Sequence, residues 1–397
     1  MRTSVAAAIA WVDANTRAMA AEGIALTEAA GRVAAQQLLA ASAVPSFDRA
    51  ATDGLAVRAS ETLGANSYNP LSFRLASPGE LLPALGAVPV NAGDRLPGGA
   101  DAILPLDHVS VDAAAGRCEI IEPAVCGSLI ARLGSHAAAG AMLVAAGRRL
   151  GPPEIGLLAA SGVRRLPVIR RPEVRVFLAG RGLARVDASP NAAAIGDGDV
   201  DGPLLRSLVE RDGGVVRELR PIERDCESLR AALASGGADI VLLAGGTGHG
   251  ADDFAAEALA AAGELAIHGV ALHPGESAGM GRLDPATPVF LLPGMAVDCL
   301  WAYELFAGRA IRRLAGGNPA LPFRPQAMRL ERKIVSGIGM TEIFPMQCRE
   351  GHAAPIASFA EAGLMAAARA DGFVIIHEGS EGFAAGSDVT VYLLPAS

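Results

Sequence analysis

The chain has 397 residues, too many for one ordinary hydrophobic core, so two to four domains are expected. Its hydrophobic content of 51% is swollen by alanine, and no apolar run reaches the ~20 residues that a membrane span needs. A formal net charge of −8, with no basic stripe or aromatic stacking platform, argues against a nucleic-acid partner. The bases are nearly all arginine, Lys333 being the only lysine. Cys118, Cys126, Cys226, Cys299 and Cys348 are scattered without paired metal spacing. An odd cysteine count and no leader-like opening fit a soluble protein of the reducing cytoplasm.

In chain order, residues 4–40 read as helical, with alanine and leucine at helical spacing. Pro45 to Asp53 break that period, and from there to about residue 136 short β-like runs alternate with Gly, Pro and Asp. Examples are Ala87-Val-Pro-Val90 and Ala102-Ile-Leu-Pro105. Gly151-Pro-Pro-Glu154 marks a helix start, with proline in the first turn and an acid behind it. Arg170-Arg-Pro172 reads as a hinge.

Beyond the hinge the pattern becomes strand, helix, strand, helix. Strands are expected at 174–179, 214–220, 239–244 and 288–292, and helices at 202–212 and 225–235. That alternation predicts an α/β fold with a doubly wound, mostly parallel sheet, whose ligands bind beyond the carboxyl ends of the strands. The tail holds further strand candidates at 327–334, 372–377 and 389–394, expected to close a small β-barrel or sandwich.

The chemistry concentrates at Ile240-Val-Leu-Leu-Ala-Gly-Gly-Thr-Gly-His-Gly-Ala-Asp-Asp-Phe254. A buried strand there runs into Gly245, Gly246, Thr247, Gly248 and Gly250, then into Asp252 and Asp253. Glycines let backbone amides close around an anion, usually a phosphate, and an acid beyond them can hold a metal or orient a reacting group. A plain glycine turn with solvated acids is the alternative. Two further turns, His273-Pro274-Gly275-Glu-Ser277 and Leu292-Pro293-Gly294-Met-Ala296, follow in order and are expected to line the same sheet edge. Upstream, Asp48 and Asp53 flank Arg49 in a loop-like frame.

Together these stretches resemble the molybdopterin molybdenumtransferase family (MoeA-like, also seen in the gephyrin E domain). The likeness runs from Pro45-Ser-Phe-Asp-Arg-Ala-Ala-Thr-Asp-Gly-Leu-Ala-Val57 and Ala92-Gly-Asp-Arg-Leu-Pro-Gly-Gly-Ala-Asp-Ala-Ile103 through 151–162 and the 245–254 turn. It ends at Ala370-Asp-Gly-Phe-Val-Ile-Ile376 and Ala385-Gly-Ser-Asp-Val-Thr-Val391. The resemblance implies four domains: 1–42 with 137–170 as an elongated helical linker domain, 43–136 as a β-rich insert, 171–317 as the α/β pterin-binding domain and 318–397 as a barrel. It implies a homodimer, with Mg²⁺ and molybdate, acting on adenylylated molybdopterin and releasing AMP. Asp53 and Asp253 would be the catalytic and metal-holding acids, and the three turns would bind the pterin phosphate.

Several family positions are substituted. The Thr-Gly-Asp-Glu turn reads Ala179-Gly-Arg-Gly182, and Pro-Gly-Lys-Pro reads Pro274-Gly-Glu-Ser277. Two family lysines correspond to Gly269 and His273, the insert's threonine to Ala92, and an acid to His136. Leu-Pro-Gly-Asn-Pro has become Leu-Pro-Gly-Met-Ala296, and another acid falls on Asp225 or, shifted by one, on Arg224. With no lysine at hand, Arg181, Arg224 and Arg282 are the candidate replacements. Two functions follow: a divergent molybdenumtransferase, or a non-catalytic carrier of the pterin for a client molybdoenzyme. An empty scaffold is the third reading. The roles of His249 and His273 stay open.

Overall fold

The computed structural model describes residues 2–77, 81–180, 199–356 and 359–395. Two compact units emerge: Met1–Glu22 with Ile169–Ser397, and Gly23–Val168.

In the Gly23–Val168 unit, a six-stranded sheet runs Ala102–Leu104, Gly54–Val57, Gly86–Val90, Leu71–Leu75, Arg117–Ile120, Val109–Asp112 in spatial order. Leu55, Phe73, Cys118 and Ile120 form its core. Gly54 is dictated by close approach, because a Cβ there would lie 2.2 Å from the Leu104 carbonyl oxygen. A separate cluster gathers Ala34, Val144, Leu150, Leu158 and Val168 around helix Pro152–Ala160. That helix starts as expected: the Glu154 carboxylate accepts the Gly151 N–H at 3.0 Å.

The expected helix over 4–40 is much shorter. It covers Val5–Asn15, opened by the Ser4 side chain accepting the Ala7 N–H. The chain then turns to strand Ala21–Ala25, a 3₁₀ turn at Leu26–Glu28 and a short strand, Leu38–Leu39. Thr16 marks the break: its hydroxyl donates to the Val12 carbonyl, and its backbone is already extended. Gly31, at φ +75°, is a further stop. Val5, Ala8 and Val12 pack into the α/β core. Arg309 grips Asp13 from the far end of the sequence through two bonds of 2.8 Å.

The α/β sheet runs Val215–Ile222, Glu173–Ala179, Ile240–Ala244, Thr287–Leu292, Gly279–Asp284, Glu264–His268. The first four strands are parallel, and the last two are added antiparallel. Alternate residues serve opposite faces. Val176, Leu242 and Phe290 point to one core, which takes in helix Asp201–Arg211. Phe177, Val241 and Leu291 point to the other, with helices Cys226–Ala234 and Ala255–Ala262. Burial on both faces explains why these strands read as unbroken apolar runs.

The tail closes a five-stranded barrel. Thr341–Arg349, His352–Pro355, Arg324–Leu330, Asp388–Leu393 and Gly372–Ile376 pair in a ring, the last strand returning to the first. The expected strand 327–334 is two pieces, Arg324–Leu330 and Ile334–Val335. No helix among the described residues is long and apolar enough to cross a membrane.

Candidate functional site

The parallel strands Glu173–Ala179, Ile240–Ala244 and Thr287–Leu292 end on one cleft of about 570 Å³. It lies where the winding reverses, between the first and third strands of the unit. The Gly245 turn passes so close to strand 173–179 that a Cβ on Gly245, at φ +90°, would sit 2.3 Å from the Ala179 oxygen. A Cβ on Gly294 would lie 3.3 Å from Gly245 Cα, so the Pro293-Gly294 turn packs backbone to backbone against it. From the third turn, the Ser277 hydroxyl meets the Thr247 hydroxyl at 3.0 Å, and the Gly275 N–H bonds the Asp298 carboxylate. The three turns therefore converge.

The glycine turn offers fewer free amides than its sequence suggests. The Gly245 N–H donates to the Leu292 carbonyl at 2.9 Å, and the Gly250 N–H to Asp253 Oδ2 at 2.9 Å. Gly248 also donates to Asp253. The Gly246 and Thr247 amides keep no partner among the described residues. The cradle for an anion thus narrows from five residues to two.

Asp253 is the clasp of this turn. Its Oδ2 holds Gly250 while its Oδ1 is ion-paired to Arg224. Burial opposes its ionisation, but the Gly250 amide, the Arg224 guanidinium and the Gly248 amide outweigh it and hold the carboxyl below the usual carboxylate range. Both oxygens are committed and a fixed cation stands beside them, which does not fit a divalent metal ligand. Among the described residues no group of three His, Cys, Asp or Glu is disposed to hold a metal ion. Asp53 belongs to the Gly23–Val168 unit, where it is exposed and accepts the Ala92 N–H at 2.7 Å.

Three acids lining the cleft were not singled out from sequence: Asp199, Asp201 and Asp298. The signal lay in the Asp-x-Asp-Gly opening of helix Asp201–Arg211 and in an acid in the first turn after Pro293-Gly294. Asp199 accepts the Gly202 N–H at 2.6 Å. Burial, reinforced by the Asp199 charge, pushes the Asp201 carboxyl up to about 7, and its Oδ1 is buried with no hydrogen-bond partner among the described residues. Burial also raises Asp298, against the opposing pull of His273 and the Gly275 amide.

Of the candidate arginines, Arg224 lines the cleft. Arg282 is engaged with Glu264 at 2.6 Å, and Arg181 falls outside the described residues. Asp225 caps helix Cys226–Ala234 through the Ser228 N–H, a structural duty. Glu276 is ion-paired to Arg2, with His273 at 3.4 Å. His249 stacks edge-on with His268 at 5.0 Å, and His268 Nε2 lies 2.8 Å from the Thr247 carbonyl oxygen.

Comparison with known proteins agrees along the chain. The MoeA N-terminal region (domains I and II) matches residues 3–162, a probable molybdopterin binding domain 193–313, and the MoeA C-terminal region (domain IV) 327–394. Molybdopterin molybdenumtransferase 2 of Mycobacterium tuberculosis is 32% identical over 315 residues, covering 76% of each chain. Molybdopterin molybdenumtransferase 1 of that organism is 28% identical over 355 residues, covering 83% of this chain and 80% of its own. The crystal structure of a moeA molybdopterin biosynthesis protein from Pyrococcus horikoshii OT3 superposes with a TM-score of 0.76 at 25% identity, covering 99% of this chain and 100% of that one. With fold, motif order and relatives in accord, the chain belongs to the molybdopterin molybdenumtransferase (MoeA) family of molybdenum cofactor biosynthesis.

Proposed function

We propose that the protein inserts molybdate into adenylylated molybdopterin, yielding molybdenum cofactor and AMP. The observation that carries this reading is the cleft at the switch point of the sheet, where three turns converge on two unpartnered amides. Such a site suits a phosphorylated heterocycle, with amides on the phosphate and an apolar wall behind. The chain's own contribution would be positioning and electrostatics. Gly246 and Thr247 supply N–H donors and Ser277, Pro293 and Gly294 shape the walls, while Pro274 and Gly275 stand behind Ser277, outside the lining. Mg²⁺ does not fit the donor set at Asp253, and no step is assigned to it. Asp53, with one oxygen on the Ala92 amide and an exposed side chain, is the candidate reacting acid. A cytoplasmic homodimer is the form we assign.

The substituted charges favour a second reading, a carrier that holds the pterin for a client molybdoenzyme. Purified protein mixed with adenylylated molybdopterin and molybdate separates the two. Release of AMP in step with cofactor formation establishes the transferase, whereas tight binding without AMP release establishes the carrier. No binding at all overturns both. In the transferase case Asp53→Asn should lower turnover while leaving binding intact, and an unchanged rate removes Asp53 from the mechanism.

A further inference from the structure

Arg224 is the one cation among the described residues lining the cleft. Its side chain is about one-third exposed, at 35%, and one guanidinium edge is taken by Asp253. Its Nε is buried with no hydrogen-bond partner among the described residues. The same side chain lies under the turn that carries the unpartnered amides: a Cβ on Gly246 would stand 3.5 Å from Arg224 Cγ and 3.7 Å from its Nε. A planar guanidinium whose Nη2 is held by Asp253 and whose Nη1 has no partner among the described residues, beside two free N–H groups, matches the oxygens of a phosphate. We propose that Arg224, positioned by Asp253, is the phosphate-binding cation of this cleft, so that the anion is taken without a divalent metal.

Asp253 offsets that charge as its ion-pair partner, so Arg224 acts through directed N–H donors rather than through a net positive field. Asp253 spends its own on Arg224 and the turn, and Asp199 is bonded to the Gly202 amide. Asp201 and Asp298 are both pushed toward their neutral forms by burial. The inference deepens the proposed reading of the cleft and relies on it only for the identity of the phosphorylated ligand. Asp253 becomes a positioning residue.

The test titrates the full-length protein with inorganic pyrophosphate by calorimetry, in EDTA and then with Mg²⁺. Binding in EDTA is expected. Arg224→Gln should weaken it about 10–100-fold, the loss of a charge-assisted contact, with Arg224→Lys falling between. Asp253→Asn is the decisive variant. It removes a negative charge, so simple electrostatics predicts tighter binding of an anion, whereas loss of positioning predicts weaker binding. On the Arg224→Gln background, Asp253→Asn should have a smaller effect than in the parent, because only its hold on the Gly250 amide is then left to lose. Circular dichroism checks that each variant is folded, and Arg224→Lys serves if Arg224→Gln is not. Binding that requires Mg²⁺, an unaltered Arg224→Gln, or a tighter Asp253→Asn overturns the proposal. Pyrophosphate binding without pterin binding would defeat the proposed function and leave this inference standing.

Discussion

Helix Asp201–Arg211 joins two charged assemblies of opposite character. At its start lies the cleft, with Asp201 unpartnered and the half-open Arg224–Asp253 pair nearby. At its end Arg211 donates to Glu304 at 2.6 and 2.8 Å and flanks Asp212, which Arg312 reaches at 2.9 Å. Glu304 and Asp212 are almost wholly buried, and the chain around them takes a π-helical turn, Tyr303–Ala307. Both assemblies leave buried side-chain atoms unmet among the described residues, Arg312 Nε and Tyr303 OH in the inner one and Arg224 Nε and Asp201 Oδ1 in the outer, but only the outer one lines a cleft and adds two backbone amides without a partner. A network sealed in the core fixes architecture, whereas one that lines a cleft is available to a ligand.

The sharpest way to break this contrast is Glu304→Ala. It removes the buried main acceptor of the part-exposed Arg211 and should cost about 2–4 kcal/mol of stability, read from denaturant unfolding. A loss under 1 kcal/mol would make the network ornamental. Gly245→Ala should come next, at about 1–3 kcal/mol for a side chain in the left-handed region. It should also abolish pyrophosphate binding, because the turn must move off the Ala179 oxygen.

Asp201→Asn should act in the opposite direction. A folded-state pKa of about 7, above the unfolded 3.8, means the carboxyl supports folding fully below pH 4 and loses that contribution as pH rises to 7. The variant should therefore match the parent near pH 4 and exceed it at pH 8. Parallel unfolding midpoints across that range would refute the shift. Smallest of all, Arg217→Ala removes an exposed pair with Glu173 and should leave the midpoint unchanged within error.

Much of this was legible in the residues. The apolar run Ile240–Ala244 ending in glycine placed both the strand and the cleft beyond it. The Gly151-Pro-Pro-Glu154 start was read from its cap. The helix over 4–40 failed because alanine-rich text keeps a helical look after the caps have ended it. The edge strand Glu264–His268 and its inner neighbour Gly279–Asp284 were missed because short antiparallel runs interrupted by polar residues and glycine carry a weak period.

From residues alone came the two-faced sheet, the order of its turns and the scarcity of lysine. These rest on burial and local backbone chemistry, both written along the chain. That Arg224 meets Asp253, 29 positions away, and that Asp253 thereby ceases to suit a metal, could be learned only by folding it. The two follow strands that a third, Glu173–Ala179, separates, so their pairing is set by strand order and turn geometry, and neither has a local signature in the sequence.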